Sequence, residues 1–150
     1  MRYLVWSGDG RLLAALGFGA SAWQVQARDR YIGWTDRQRR AGLHRIVNNA
    51  RFLILPWVQC HGLASRILSG ILSPLRTDWR LRYGYQPLLL ETFVEVPRFT
   101  GTAYRAANWL ARTNSGPGQT GKTARSNRST QGRLGLPVAP GLSEIPLCRT

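Results

Sequence analysis

Residues Arg51–Glu95 read RFLILPWVQCHGLASRILSGILSPLRTDWRLRYGYQPLLLETFVE. An apolar run, RFLILPW, stops at Pro56, and QCHGLAS follows as a short glycine loop. Leu63, Ile67, Ile71 and Leu75 then recur every four residues, with Leu68 and Leu72 beside them. This is the buried stripe of a helix from Leu63 to about Leu81, which Pro74 either kinks or divides. After the turn at Tyr83–Pro87, the run PLLLETFVE closes the unit. Apolar run, loop, helix and apolar run form the pattern of a β-α-β unit, whose parallel strands require such a crossover. The expected fold class is therefore α/β, a mixed sheet around this unit. Its ligand position is expected where the first strand ends and the helix begins.

Working outward, Arg2–Trp6 and Arg11–Gly19 are apolar stretches on either side of Ser7-Gly-Asp-Gly10, a hairpin signal. Ala20–Arg28 reads as a short helix or as a strand. Thr35 is an N-cap with Gln38 at the capping-box position, which predicts a helix from Asp36 to about Val47. Leu43, Ile46 and Val47 form its apolar side, Arg37, Arg39, Arg40 and Arg45 its basic side, and Asn48-Asn49 its end. Beyond the second apolar run, Thr102–Leu110 reads as a short helix, with Trp109–Ala111 alternatively opening a last strand.

The chain has 150 residues and a formal charge of +14. Lys122 is its only lysine, so 20 of the 21 basic residues are arginine. Arginine presents a planar fork of donors suited to phosphate or carboxylate, and the charge favours nucleic acid or a phosphorylated ligand. The same composition also follows from arginine bias in a GC-rich genome. Cys60 and Cys148, with two scattered histidines, make no zinc pattern. No signal-peptide pattern is visible and the apolar runs are shorter than a membrane span, so the expected location is cytoplasmic.

Composition changes near Thr113. Every tryptophan, tyrosine and phenylalanine lies before it, and Asn114–Thr150 is rich in Gly, Ser, Thr, Pro and Arg. The expected division is an ordered domain at 1–113 and a basic, unstructured tail at 114–150, which buries too little to offset its ordering entropy. A chain that opens directly on a strand also suggests sequence missing upstream.

Three groups carry possible chemistry. The first is the loop Gln59–Ala64, at a helix start where backbone N–H groups and the helix dipole suit phosphate. Gln59, Gly62 and Ala64 resemble the Gln/Arg-x-x-Gly-x-Gly/Ala loop by which acetyltransferases of the GNAT type hold coenzyme A, and a GNAT-like arrangement is the specific form expected of the α/β fold. The plain alternative is a tight turn at Gly62. The second is Glu91 with Tyr104. In an acyltransferase, Glu91 would be the base and Tyr104 the acid that protonates the departing thiolate; otherwise Glu91 pairs with an arginine and Tyr104 is a core residue. Cys60 and His61, adjacent in sequence, form no nucleophile–base dyad. The third is the arginine-rich surface of Arg28, Arg30, Arg37, Arg39, Arg40 and Arg45. These side chains would meet phosphates, with Trp34 or Tyr31 stacking on a base.

The stretches RYLVWS, LGFGASAW, ARDRYIGW, LHRIVNNARFLILPWV, LASRILS, DWRLRYGYQPLLLETFV and RFTGTAYRAANW extend over residues 2–109. In them the chain resembles a bacterial domain-of-unknown-function family. That family includes the DruA protein of the Druantia anti-phage system and related proteins of transposable elements. The resemblance implies a defence or mobile-element component and assigns no reaction. Matching positions include Arg28, Asp29, Trp34, Asn48, Asn49, Arg51, Trp57, Asp78, Tyr83, Glu91, Tyr104, Arg105, Asn108 and Trp109. After Trp109 the sequence departs from the family pattern, which suggests a fragment or a frameshifted copy; GQTGKT lacks the full phosphate-loop frame. The leading expectation is a DNA-associated accessory domain with a helicase or transposase partner. The alternatives are a coenzyme A-dependent N-acyltransferase and a structural subunit or non-functional remnant.

Overall fold

The computed structural model describes residues 1–95, 98–111 and 130–135, the last group by its backbone. Strands β1 (Arg2–Trp6) and β2 (Leu12–Ala20) form the expected antiparallel hairpin. Helix α1 (Gln26–Ile32) follows, so Ala20–Arg28 is neither one helix nor one strand. Helix α2 (Asp36–Gly42) opens on the expected capping box, in which Thr35 Oγ1 accepts from the Gln38 N–H and the Gln38 side chain accepts from the Thr35 N–H.

This helix ends earlier than its apolar spacing predicts. A 3-10 turn (Leu43–Arg45) separates it from β3 (Ile46–Ile54). Leu43, Ile46 and Val47 match a helical face in sequence, but Ile46 and Val47 are claimed by the sheet. Val47 pairs with Ala20 on one side and Leu90 on the other, and Ile46 pairs with Leu89. Two ladders of backbone hydrogen bonds and the β-branched side chains outweigh one further helical turn.

The β-α-β unit is present with its first strand starting earlier. Of the two outcomes expected at Pro74, a kink or a division, the helix is divided, into α3 (Leu63–Gly70) and α4 (Leu72–Tyr83). Pro74 lies in the first turn of α4, where its missing N–H costs nothing. A continuous helix would set its ring against the Gly70 carbonyl, which is where α3 stops. Strand β4 (Leu89–Glu95) then pairs parallel to β3 over Ile46–Asn48 and Leu89–Glu91 only. Helix α5 (Thr102–Ala106) and β5 (Leu110–Ala111) match the two readings of that segment.

Strand β6 (Thr130–Gly135) inserts between β4 and β5, antiparallel to both, giving the order β1-β2-β3-β4-β6-β5. It falls within the stretch expected to be an unstructured tail; the rest of 114–150 lies outside the described residues. The far edge of β4 needs backbone partners, and β6 supplies them despite its poor apolar content.

Alternation along the strands separates two faces. Val47 and Leu90 join Leu63, Ile67, Leu68, Leu75 and Trp79 in the main core beneath α3, α4 and α5. Ile46 and Leu89 face the other way, packed with Tyr31, Trp34 and Leu43 from the α1–α2 segment. The sheet centre is thus covered on both sides, whereas the outward face of β1 and β2 carries no described helix. Among the described residues no helix is long and apolar enough to cross a membrane.

Candidate functional site

Helix α1 drives a charged side chain into the protein. Arg28 has no solvent exposure, and its Nη1 lies 3.3 Å from both carboxylate oxygens of Glu91, which is 1% exposed. Nη1 also reaches the Ala22 carbonyl at 2.9 Å, while Nη2 reaches the Trp23 carbonyl at 3.2 Å and Nε reaches Asp29 Oδ1 at 3.0 Å. Ser21 Oγ donates to Glu91 and accepts from Arg28. The guanidinium also stands 5.6 Å from the Trp34 ring centre. Removing two charges from water is tolerable only when the charged groups find partners, and here every guanidinium nitrogen and both carboxylate oxygens have one.

The network continues outward through Asp29, which accepts from Trp34 Nε1 at 2.9 Å and from Arg39 at 3.5 Å. Arg39 also reaches Asp36 at 2.9 Å and lies 5.7 Å from the Trp23 ring centre. The predicted basic surface therefore divides. Arg28 is interior and offers no atom to a phosphate at the surface. Arg39 is largely covered and held by two carboxylates, and Trp34 is half-buried with its N–H in use. Arg30, Arg37, Arg40 and Arg45 are exposed, and none has an ion-pair partner among the described residues.

A second polar cluster lies on the opposite face. Between β2 and β3 the register shifts so that Gly17 opposes Arg51 and Phe18 opposes Asn49, leaving Ala50 as a bulge. The buried Asn49 side chain fills the gap: Nδ2 donates to the Gly17 and Arg51 carbonyls at 3.2 and 3.1 Å. Tyr104 donates to Asn49 Oδ1 at 2.9 Å, and Thr92 Oγ1 donates to the Asn49 carbonyl at 3.0 Å. Tyr104 packs edge-on against Trp109 with ring centres 5.2 Å apart. Glu91 and Thr92 are consecutive on β4, so they point to opposite sides of the sheet. Tyr104 gathers with Thr92 and Asn49 under α5, while Glu91 is held by Arg28 under α1. The fold does not bring Glu91 and Tyr104 into one cluster.

The loop before α3 has Gln59, His61 and Gly62 exposed and Ala64 half-buried. Gly62 has φ +73°, so a side chain there is strained even though the space around it is open. Its carbonyl accepts from Ser65 Oγ at 2.9 Å and from the Arg66 N–H at 3.1 Å.

Ser21 and Asn49 had little sequence signal. A serine in a loop is unremarkable, and Asn49 reads as a helix end. What could have marked Asn49 is its place, a polar residue immediately after Ile46-Val47 and before the apolar run Phe52–Leu55.

Residues 1–139 match the family model for the Druantia protein DruA. The chain belongs to the DruA family. The match takes in every described element, β6 included, and runs to residue 139, so the departure from the family pattern expected after Trp109 is overturned. Membership links the protein, at the level of the family, to the Druantia anti-phage system. No curated protein and no solved structure matches the chain.

Proposed function

We propose that this DruA-family chain is a nucleic-acid-associated component of an anti-phage or mobile-element system. It would engage phosphates through Arg30, Arg37, Arg40 and Arg45. The observation that carries this reading is how the fold distributes its few carboxylates. Asp29 and Glu91 are spent on Arg28, and Asp29 and Asp36 on Arg39. The exposed arginines of α1, α2 and the following turn are left without counter-charge. Such a surface attracts polyanions and releases their condensed counterions on binding. A helicase or transposase would then be the partner that supplies a reaction.

The test is the salt dependence of duplex DNA binding by the full chain and by the Arg37→Ala/Arg40→Ala variant. If both residues meet phosphates, the double change weakens binding and makes the log–log salt slope shallower by about 2. An unchanged slope removes this surface from the argument.

Acyl transfer is the second reading. It is favoured by the short parallel pairing of β3 with β4, which ends at Asn48 and Glu91, next to the contact between Asn49 and Tyr104. Coenzyme A would lie against Gln59, Gly62 and Ala64, and Tyr104 would serve as the acid; Glu91 is buried in its ion pair with Arg28 and is not placed beside Tyr104. Calorimetric titration with acetyl-coenzyme A tests this reading, and Gly62→Val should abolish any binding seen. Binding that survives that change rejects the pose.

A further inference from the structure

The outward face of β1, β2 and β3 is laid out in cross-strand rows. Arg2 and Arg51 both pair with Gly17, one from each side; Leu4 and Leu53 both pair with Ala15. Trp6 lies two residues beyond Leu4 on the same side of β1. The middle strand therefore contributes only a methyl group or a hydrogen, and the flanking strands rise on either side as ridges. A Cβ added to Gly17 would come within 3.3 Å of Arg51 Cβ, so the arginine stem lies directly over the glycine. Leu4, Trp6 and Leu53 are each more than half exposed, at 57, 55 and 54%.

A row of large exposed apolar residues on one sheet face is the kind of surface that marks an interaction site. No residue of β1, β2 or β3 is acidic, and Arg2 and Arg51 stand at one end of the trough. Arg51 uses Nη1 on the Ala50 carbonyl at 2.9 Å, which orients the group and leaves its other donors for a ligand. Positive charge beside exposed aromatic and aliphatic side chains on an open sheet matches an anion with planar apolar bases. A duplex hides those base faces; a single strand presents them.

We propose that the face formed by Arg2, Leu4, Trp6, Gly17, Arg51 and Leu53 binds single-stranded nucleic acid. A base stacks on Trp6, the trough over Ala15 and Gly17 takes the strand, and Arg2 and Arg51 hold its phosphates. This rests on the nucleic-acid reading above and assigns it a second surface, distinct from the arginines of α1 and α2.

The experiment is anisotropy titration of fluorescein-labelled oligothymidylate and of a mixed-sequence duplex. It uses the full chain, the Trp6→Ala variant, the Arg2→Ser/Arg51→Ser variant and the Arg37→Ala/Arg40→Ala variant. Circular dichroism and sedimentation velocity accompany each. Trp6→Ala should weaken oligothymidylate binding about tenfold, and the Arg2/Arg51 change should weaken it most at low salt and make its log–log salt slope shallower by about 2. Neither should alter duplex binding. All the changed side chains are exposed, so the fold should persist. Oligothymidylate affinity unchanged in both sheet-face variants overturns the proposal. So does a wild-type chain that self-associates and becomes monomeric on Trp6→Ala, since the face would then join two copies. If only the Arg37/Arg40 variant loses binding, the sheet-face proposal fails and the phosphate-binding reading stands. If the wild type binds neither DNA, both fail.

Discussion

Arg28 on α1 and Glu91 on β4 form an ion pair closed to solvent, with Nη1 3.3 Å from the carboxylate, across 63 residues of sequence. The pair fastens the α1–α2 segment to the centre of the sheet. In a chain with so many arginines, it distinguishes one that serves the fold from those that remain on the surface.

Arg28→Met leaves the Glu91 carboxylate buried without its counter-charge and should cost about 3–5 kcal/mol. Changing both residues, Arg28→Met with Glu91→Leu, removes both charges and should cost clearly less than the single change. Urea denaturation of the three proteins checks this. Additive losses would mean that the two residues stabilise the fold independently.

The opening hairpin, the Thr35–Gln38 capping box and the crossover between parallel strands were legible in the sequence because each is a local pattern. The start of β3 was not. Leu43, Ile46 and Val47 carry helical spacing, and only partners far along the chain, Ala20 and Leu90, turn the last two into strand. Nor did arginine content reveal that Arg28 is interior while Arg30, two residues on, is exposed. That difference depends on where Glu91 and Ser21 arrive. Strand β6 was missed because a strand held by backbone pairing needs little apolar signal.

The Asn49 amide bridges two carbonyl oxygens across the bulge. Asn49→Asp would set a carboxylate against both carbonyls and against nothing that donates to that oxygen. Asn49→Ala only leaves the groups unpaired, at about 1–3 kcal/mol. The aspartate variant should therefore unfold at lower urea than the alanine variant. The reverse order would mean that filling the space at the bulge matters more than the two N–H bonds to the Gly17 and Arg51 carbonyls.

Tyr3 donates to Asp78 at 2.9 Å and joins β1 to α4. Burial, and then the bond to Asp78, raise its hydroxyl above the ordinary value of 10.0. The folded state thus holds this proton more tightly than the unfolded chain. The stabilisation is complete below pH 10.0 and is lost as pH rises from there toward the raised folded value. Tyr3→Phe should lower stability at neutral pH by roughly 1–2 kcal/mol and lose less on going from pH 9 to about pH 11. Thermal melts of both proteins across that range test it; parallel losses would remove Tyr3 as the source.

Strand β6 pairs with β4 from Leu90–Gly135 to Glu95–Thr130 and also holds β5. A chain ending at Thr113 exposes that edge of β4 and leaves β5 without its partner. Each lost backbone bond is worth about 0.5–1.5 kcal/mol, and each kcal/mol lowers the midpoint of a domain this size by about 4–8 °C. The shortened chain should therefore melt well below the full one and associate at rising concentration, because an open strand edge templates pairing with another copy. Calorimetry and light scattering measure the two effects. Equal melting temperatures would instead show that β6 adds no stability to the sheet, as its composition alone suggests.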